Sequence, residues 1–126
     1  MSNVTTEGDV MDYSKLSDFE VSKRVAIAIG GFIEEDFCEA HSVIFRSHGR
    51  HQYSFFEPCT NPSDAWPIIV ANKINIEWHQ WKDNTDKPYA LSNATMISRY
   101  DDNPLRAAMI VFLMMQDSAN VQDNTA

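Results

Sequence analysis

The chain has 126 residues, with 18 acids against 10 bases and a formal net charge of -8. That length suits one domain able to bury a core without disulfides or metal, and the acidic balance excludes general affinity for DNA or RNA, which rests on cationic neutralisation of phosphate. Two cysteines and a first segment, Met1-Ser-Asn-Val-Thr-Thr, with neither a basic start nor an apolar run point to a reducing, cytoplasmic setting.

Residues 1–11 are polar and read as a flexible tail ahead of one domain over 12–116, with a second tail over 117–126. Ser17-Asp18-Phe19-Glu20 is a capping box, and Leu16 and Val21 are spaced for a hydrophobic staple. Val21, Val25, Ala28 and Ile29 then form an apolar stripe. The first helix is predicted from Asp18 to Ile29, ended by Gly30-Gly31. The acidic stretch 32–40 reads as an irregular connection. Ser42–Arg46 and Gln52–Phe56 are strand candidates forming a hairpin about Ser47-His48-Gly49-Arg50.

Asn61 is a good N-cap and Pro62 a good first helical residue, so a second helix is predicted to about Asn72. Pro67 should bend it near Asp64 to Trp66. Lys73–Lys82 begins as clean alternation, with Ile74, Ile76 and Trp78 on one face and Asn75, Glu77 and His79 on the other. Trp81 reads as a break in that parity. Trp66 and Trp78 are assigned to the core and Trp81 to the surface. Asp83–Pro88 is a polar turn and Tyr89–Ser98 the last extended segment.

Asn103-Pro104 opens the final helix, which repeats the Asn-Pro-x-x-Ala-x-x-Ile pattern of Asn61–Ile68. It is apolar nearly all round and should be buried on more than one face. Its apolar run, Leu105–Met115, falls well short of the ~20 residues of a membrane span. The expected fold is α+β, in the order α-β-β-α-β-β-α: a mostly antiparallel four-stranded sheet packed with about three helices.

Three runs carry a family resemblance: Met11–Glu20, Asn61–Ile69 and Asn103–Met115. Together they resemble NinX-type proteins of tailed bacteriophages, and the second and third are similar to wider phage α/β/α sandwich domains. The resemblance implies a phage or prophage origin, an accessory role and a place in the bacterial host cytoplasm. It supplies no catalytic residues to transfer.

No phosphate loop, dinucleotide fingerprint or nucleophile elbow is present, so binding is a better expectation than catalysis. Cys38, His41, His48, His51 and Cys59 have residue types and gaps that zinc can use. Scattered polar histidines and two buried thiols are the stronger reading, and no metal or cofactor is expected. Residues 41–56 contain no acid but carry Arg46 and Arg50. The start of the last helix offers free amides beside Arg99 and Arg106, although pairing with Asp102 or Asp64 is the stronger reading of Arg106. With Trp81 as a stacking face, Arg46, Arg50, Trp81, Arg99 and Arg106 form the candidate ligand-binding set. A small anionic ligand such as a nucleotide signal, held to counter a host defence, is the leading expectation. The alternative is an acidic inhibitor or adaptor of a host protein, acting through Glu34, Glu35 and Asp36. No membrane partner is expected; a homodimer through an exposed sheet edge is.

Overall fold

The structure is a computed structural model that describes residues 11–125, and side chains as far as Asn120. The expected tail over residues 1–11 thus lies almost wholly outside the described residues.

Three α-helices form where the caps place them: α1 (Asp18–Ile29), α2 (Pro62–Asn72) and α3 (Pro104–Thr125). The capping box of α1 is made on both sides, Glu20 N donating to Ser17 Oγ and Ser17 N donating to Glu20 Oε1. Gly30 ends α1 at φ 82°, a conformation closed to most side chains. The buried stripe of α1 is Val21, Ser22, Val25 and Ala26, while Ala28 and Ile29 in its last turn face solvent.

Both Asn-Pro starts act as caps. Asn61 Oδ1 accepts from the amide of Ser63, and Asn103 Oδ1 accepts from the amides of Leu105 and Arg106. Asn103 also donates from Nδ2 to the carbonyl of Cys59 at 2.7 Å, which ties one helix start to the approach to the other. Helix α2 continues through Pro67. The missing amide would have served the carbonyl of Ser63, which lies in an exposed first turn where water can substitute.

The expected single sheet is instead two. Strands β1 (Phe37–Cys38), β2 (Val43–Ser47) and β3 (Tyr53–Phe55) form one antiparallel sheet in the order β1-β2-β3. Strands β4 (Ile74–Gln80), β5 (Asp86–Ser92) and β6 (Ile97–Tyr100) form the other, in the order β4-β5-β6. The sequence hid a strand in each. β1 is only two residues long, inside the acidic connection that opens with a turn at Glu34–Asp36. The run Tyr89–Ser98 is split by a tight turn with no glycine or proline. Ser92 closes it, its Oγ accepting from Thr95 and its carbonyl from the amide of Met96 at 2.7 Å. Met96 takes a left-handed φ of 61°.

Pro88 was expected in a turn but lies within β5, opposite Trp78. Its carbonyl accepts from Asp101, and its absent N–H falls at the last pair, just past the end of β6, so at most one terminal ladder bond is forgone. The register of β4 with β5 runs unbroken from Ile74↔Ser92 to Gln80↔Asp86, without a bulge. Trp81 therefore keeps the parity of His79 rather than breaking it.

Helix α3 is the centre of the molecule. It packs against α1, α2 and all three strands of the second sheet. Ala107 to Val111 are fully buried, the outcome its all-round apolarity predicted. The helix also runs on to Thr125 beyond the segment expected to end it. Tyr13 donates to Asp117 there, and burial and that carboxylate together raise the Tyr13 phenol well above its ordinary range. No helix among the described residues is long and apolar enough to cross a membrane.

Met109→Asp places a carboxylate at a side chain with no solvent exposure, where burial without a partner is prohibitive. Circular dichroism and thermal scans should show loss of cooperative unfolding; a folded, cooperative Met109→Asp protein would contradict the central position of α3.

Candidate binding surface

The five residues singled out in the sequence are not gathered into one site. Arg46 lies on β2 and Arg50 in the β2–β3 connection. Trp81 stands just after β4, Arg99 on β6 and Arg106 in the first turn of α3. No hydrogen bond or ion pair among the described residues joins any two of them.

Arg106 is committed to holding the fold. Its Nε donates to Asp101 at 3.2 Å and its Nη1 to Asp18 at 2.8 Å. Its Nη2 donates to the carbonyls of Tyr13 and Leu16, at 3.0 and 2.7 Å. The partners are Asp101 and Asp18 rather than Asp102 or Asp64. Arg46 packs its guanidinium over Phe56, 4.5 Å from the ring centroid, with Asp64 3.7 Å away. Arg99 faces the helix side of its sheet, opposite Ala90, and its Nε is buried without a hydrogen-bond partner among the described residues. Arg50 is exposed.

Cys38 is half-buried and Cys59 buried, and both are free. Among the described residues, no three His, Cys, Asp or Glu side chains are placed together to hold a metal. Cys59 borders a cleft of about 190 Å³ between α1, the start of β2 and the Phe56–Thr60 loop. Burial pushes its thiol up to about 11, against a smaller opposing effect of Ser22, whose hydroxyl donates to the sulfur. Such a thiol is not a nucleophile near neutral pH. Asp36 of the acidic stretch is buried and accepts from the amide of Ile33, so it holds the turn at Glu34–Asp36.

Among the described residues, the second sheet has helices on one face only. On its outer face alternation and register bring together His79 and Trp81 from the β4 side, Lys87 and Tyr89 from β5, and Tyr100 from β6. The rings form a continuous group: His79–Tyr89 centroids are 4.5 Å apart, Tyr89–Tyr100 4.6 Å and Trp81–Tyr100 5.5 Å. His79 Nδ1 and the Tyr100 hydroxyl lie 2.7 Å apart, and His79 Nε2 is 2.9 Å from Glu77 Oε1. Lys87 lies over the Trp81 ring and pairs with Asp102. That contact, led by the hydrogen bond to Asp102, raises the Lys87 ammonium above its ordinary range. Trp81 and Tyr100 remain 44% and 41% exposed. Gln80, Trp81, Lys82 and Asp83 border only a shallow hollow, open to solvent, at the hairpin tip.

Of this group Trp81 alone belongs to the candidate binding set drawn from the sequence. The signal was present in the odd-numbered set of β4, since Glu77, His79 and Trp81 share one parity. Tyr89 and Tyr100 join them only through the strand register. Trp66 and Trp78, assigned to the core, are 63% and 62% exposed. Trp78 keeps the inward parity of Ile74 and Ile76 but sits further along β4, and burial of that face fades towards the hairpin.

Fold and surface together define a small α+β domain that covers one face of its larger sheet and leaves the other as an open aromatic platform. The chain belongs to the family described as Bacteriophage P22, NinX, whose pattern matches residues 12–116. Neither a curated protein nor a solved structure matches it.

Replacing Arg106 with Met leaves Asp101 and two carbonyls without their donor, and because the pair is only partly buried the cost should be about 2–3 kcal/mol, below that of a fully buried one. Urea unfolding should show that loss; a change near zero would remove Arg106 from its structural role. In a Cys38→Ser protein at pH 8, Cys59 at about 11 holds roughly 100-fold less thiolate than at the ordinary 9.0. Iodoacetamide should label it only as the chain unfolds, and rapid labelling of folded protein would contradict its burial.

Proposed function

We propose that this phage protein acts by binding a host protein with a basic surface, through the outer face of its second sheet. The observation that carries the reading is the exposed cluster of Trp81, His79, Tyr89 and Tyr100. Tyrosine and tryptophan dominate binding energy at protein interfaces because each buries a large area with few rotamers to fix. The rim bears Glu77 and Asp102, and the chain carries a net charge of -8, which favours a cationic partner and fast, salt-sensitive association. A small-molecule site usually needs an enclosing concavity of roughly 300–1,000 Å³; the Cys59 cleft, at about 190 Å³, is smaller, and the hollow beside Trp81, at about 500 Å³, is wide open to solvent rather than enclosing. A flat platform suits a macromolecular surface better. In a phage protein, inhibition or redirection of a host defence component is a fitting role for such contact.

A second reading keeps the small anionic ligand. The same rings could stack on a nucleotide base, with Lys87 and His79 beside its phosphate. The acidic rim weighs against it.

Tagged wild-type protein should capture a discrete factor from bacterial host lysate, with capture falling as salt rises. A Trp81→Ala, Tyr100→Ala double variant should lose about tenfold or more in affinity while keeping its thermal stability. Capture that survives both changes removes this face as the binding surface. Calorimetry with cyclic and linear nucleotides decides the second reading, and no heat from any of them would sink it.

A further inference from the structure

Strand β4 is the longer of the two edges of the second sheet, seven residues against four in β6, and has no neighbour on its outer side among the described residues. The hydrogen bonds fix which of its backbone groups are free. Trp81 N donates to Thr85 O at 2.8 Å, continuing the β4–β5 register by one pair. In an antiparallel ladder, alternate residues turn to the same neighbour. Asn75, Glu77 and His79 therefore turn their amides and carbonyls to β5, while Ile74, Ile76, Trp78 and Gln80 turn theirs outward. A long edge with four outward residues and an exposed tryptophan at its middle is an open template for another strand.

We infer that β4 pairs with β4 of a second copy of this chain, antiparallel, about a two-fold axis at Trp78. This inference rests on the free edge alone and stands whether or not the outer face binds a host protein.

Self-pairing requires a register that is complementary to itself. An axis at Trp78 makes it a hydrogen-bonded pair with the partner's Trp78, and gives Ile76 and Gln80 the same pairing with the partner's Gln80 and the partner's Ile76. Between these, Glu77 falls opposite the partner's His79, and His79 opposite the partner's Glu77. These are non-hydrogen-bonded positions, where side chains approach most closely. Glu77 and His79 already interact within one strand, 2.9 Å apart. The two-fold would join the two pairs into one alternating row. An axis at Glu77 sets carboxylate against carboxylate, and an axis at Ile76 sets Lys73 against the partner's His79. Charge thus favours the Trp78 register over either of these.

The inward side of the same edge is also apolar and uncovered. Trp78 is 62% exposed, and α2, which packs beside β4, carries Trp66 and Val70 at 63% and 51%. Pairing would give these side chains a partner surface and join the two outer aromatic faces across a six-stranded sheet.

The test uses the full chain with Cys38→Ser. Trp78→Cys should form a disulfide-linked dimer under mild oxidation, because the Cα atoms of a hydrogen-bonded antiparallel pair lie about 5.5 Å apart, within disulfide reach. Asn75→Cys should not link to itself, since this register carries it six residues, roughly 20 Å, from its counterpart. Native mass spectrometry of the wild type should give twice the chain mass. Linkage at position 75 as fast as at 78, no linkage at 78, or a monomeric wild type would each overturn the inference.

Discussion

The guanidinium of Arg106 is the point on which the assembly of the helices depends. A charge with a side chain only 12% exposed is tolerable only if its donors are matched. Here they reach the β6–α3 loop through Asp101, the first turn of α1 through Asp18, and the chain ahead of α1 through the carbonyls of Tyr13 and Leu16. The group sits in the first turn of α3, so the helix that forms the core also fixes where the chain enters it. Asn103 adds the link to the α2 approach through the Cys59 carbonyl. An arginine that looks like an anion site in the sequence is spent on joining segments about ninety residues apart.

With α3 anchored in this way, one helical layer covers the second sheet and nothing among the described residues covers its far side. Towards its other end the far side carries Asn75, Leu91 and Ser98, a mixed set that ordinary solvation accommodates. Around His79 it is aromatic. Cross-strand aromatic pairs stabilise a sheet by only about 0.2–1 kcal/mol each, so four adjacent rings left partly exposed are the molecule's clearest departure from a purely structural pattern. Cys59 and Arg46 show the opposite. Cys59 is buried and protonated, Arg46 is stacked on Phe56, and each is accounted for by packing.

Much of the fold was legible because it is local. Ser17–Glu20, Asn61-Pro62 and Asn103-Pro104 each satisfy helix-end amides within three residues, so cap, start and direction are written in adjacent positions. The strands of the second sheet were half legible. Alternation in β4 was visible, but the turn after Ser92 rests on serine, threonine and a left-handed methionine, none a strong signal alone. The binding surface was the least legible. Trp81 was chosen as an exposed ring, yet its companions Tyr89 and Tyr100 come from strands whose register no short stretch encodes.

The sequence by itself determined the three helices, the burial of the last one, the α+β class and the NinX kinship. The first three follow from spacing, capping and apolar periodicity, which act over a few residues; the kinship follows from the resemblance of three motif runs to that family. The tertiary structure alone decided that there are two sheets and that Arg106 is a clamp. It also decided that Trp66 and Trp78 face solvent and that the rings around His79 share one face. Each of these depends on which segment comes to lie against which. Burial and ion pairing are properties of that arrangement, and a side chain's own chemistry does not say what will cover it.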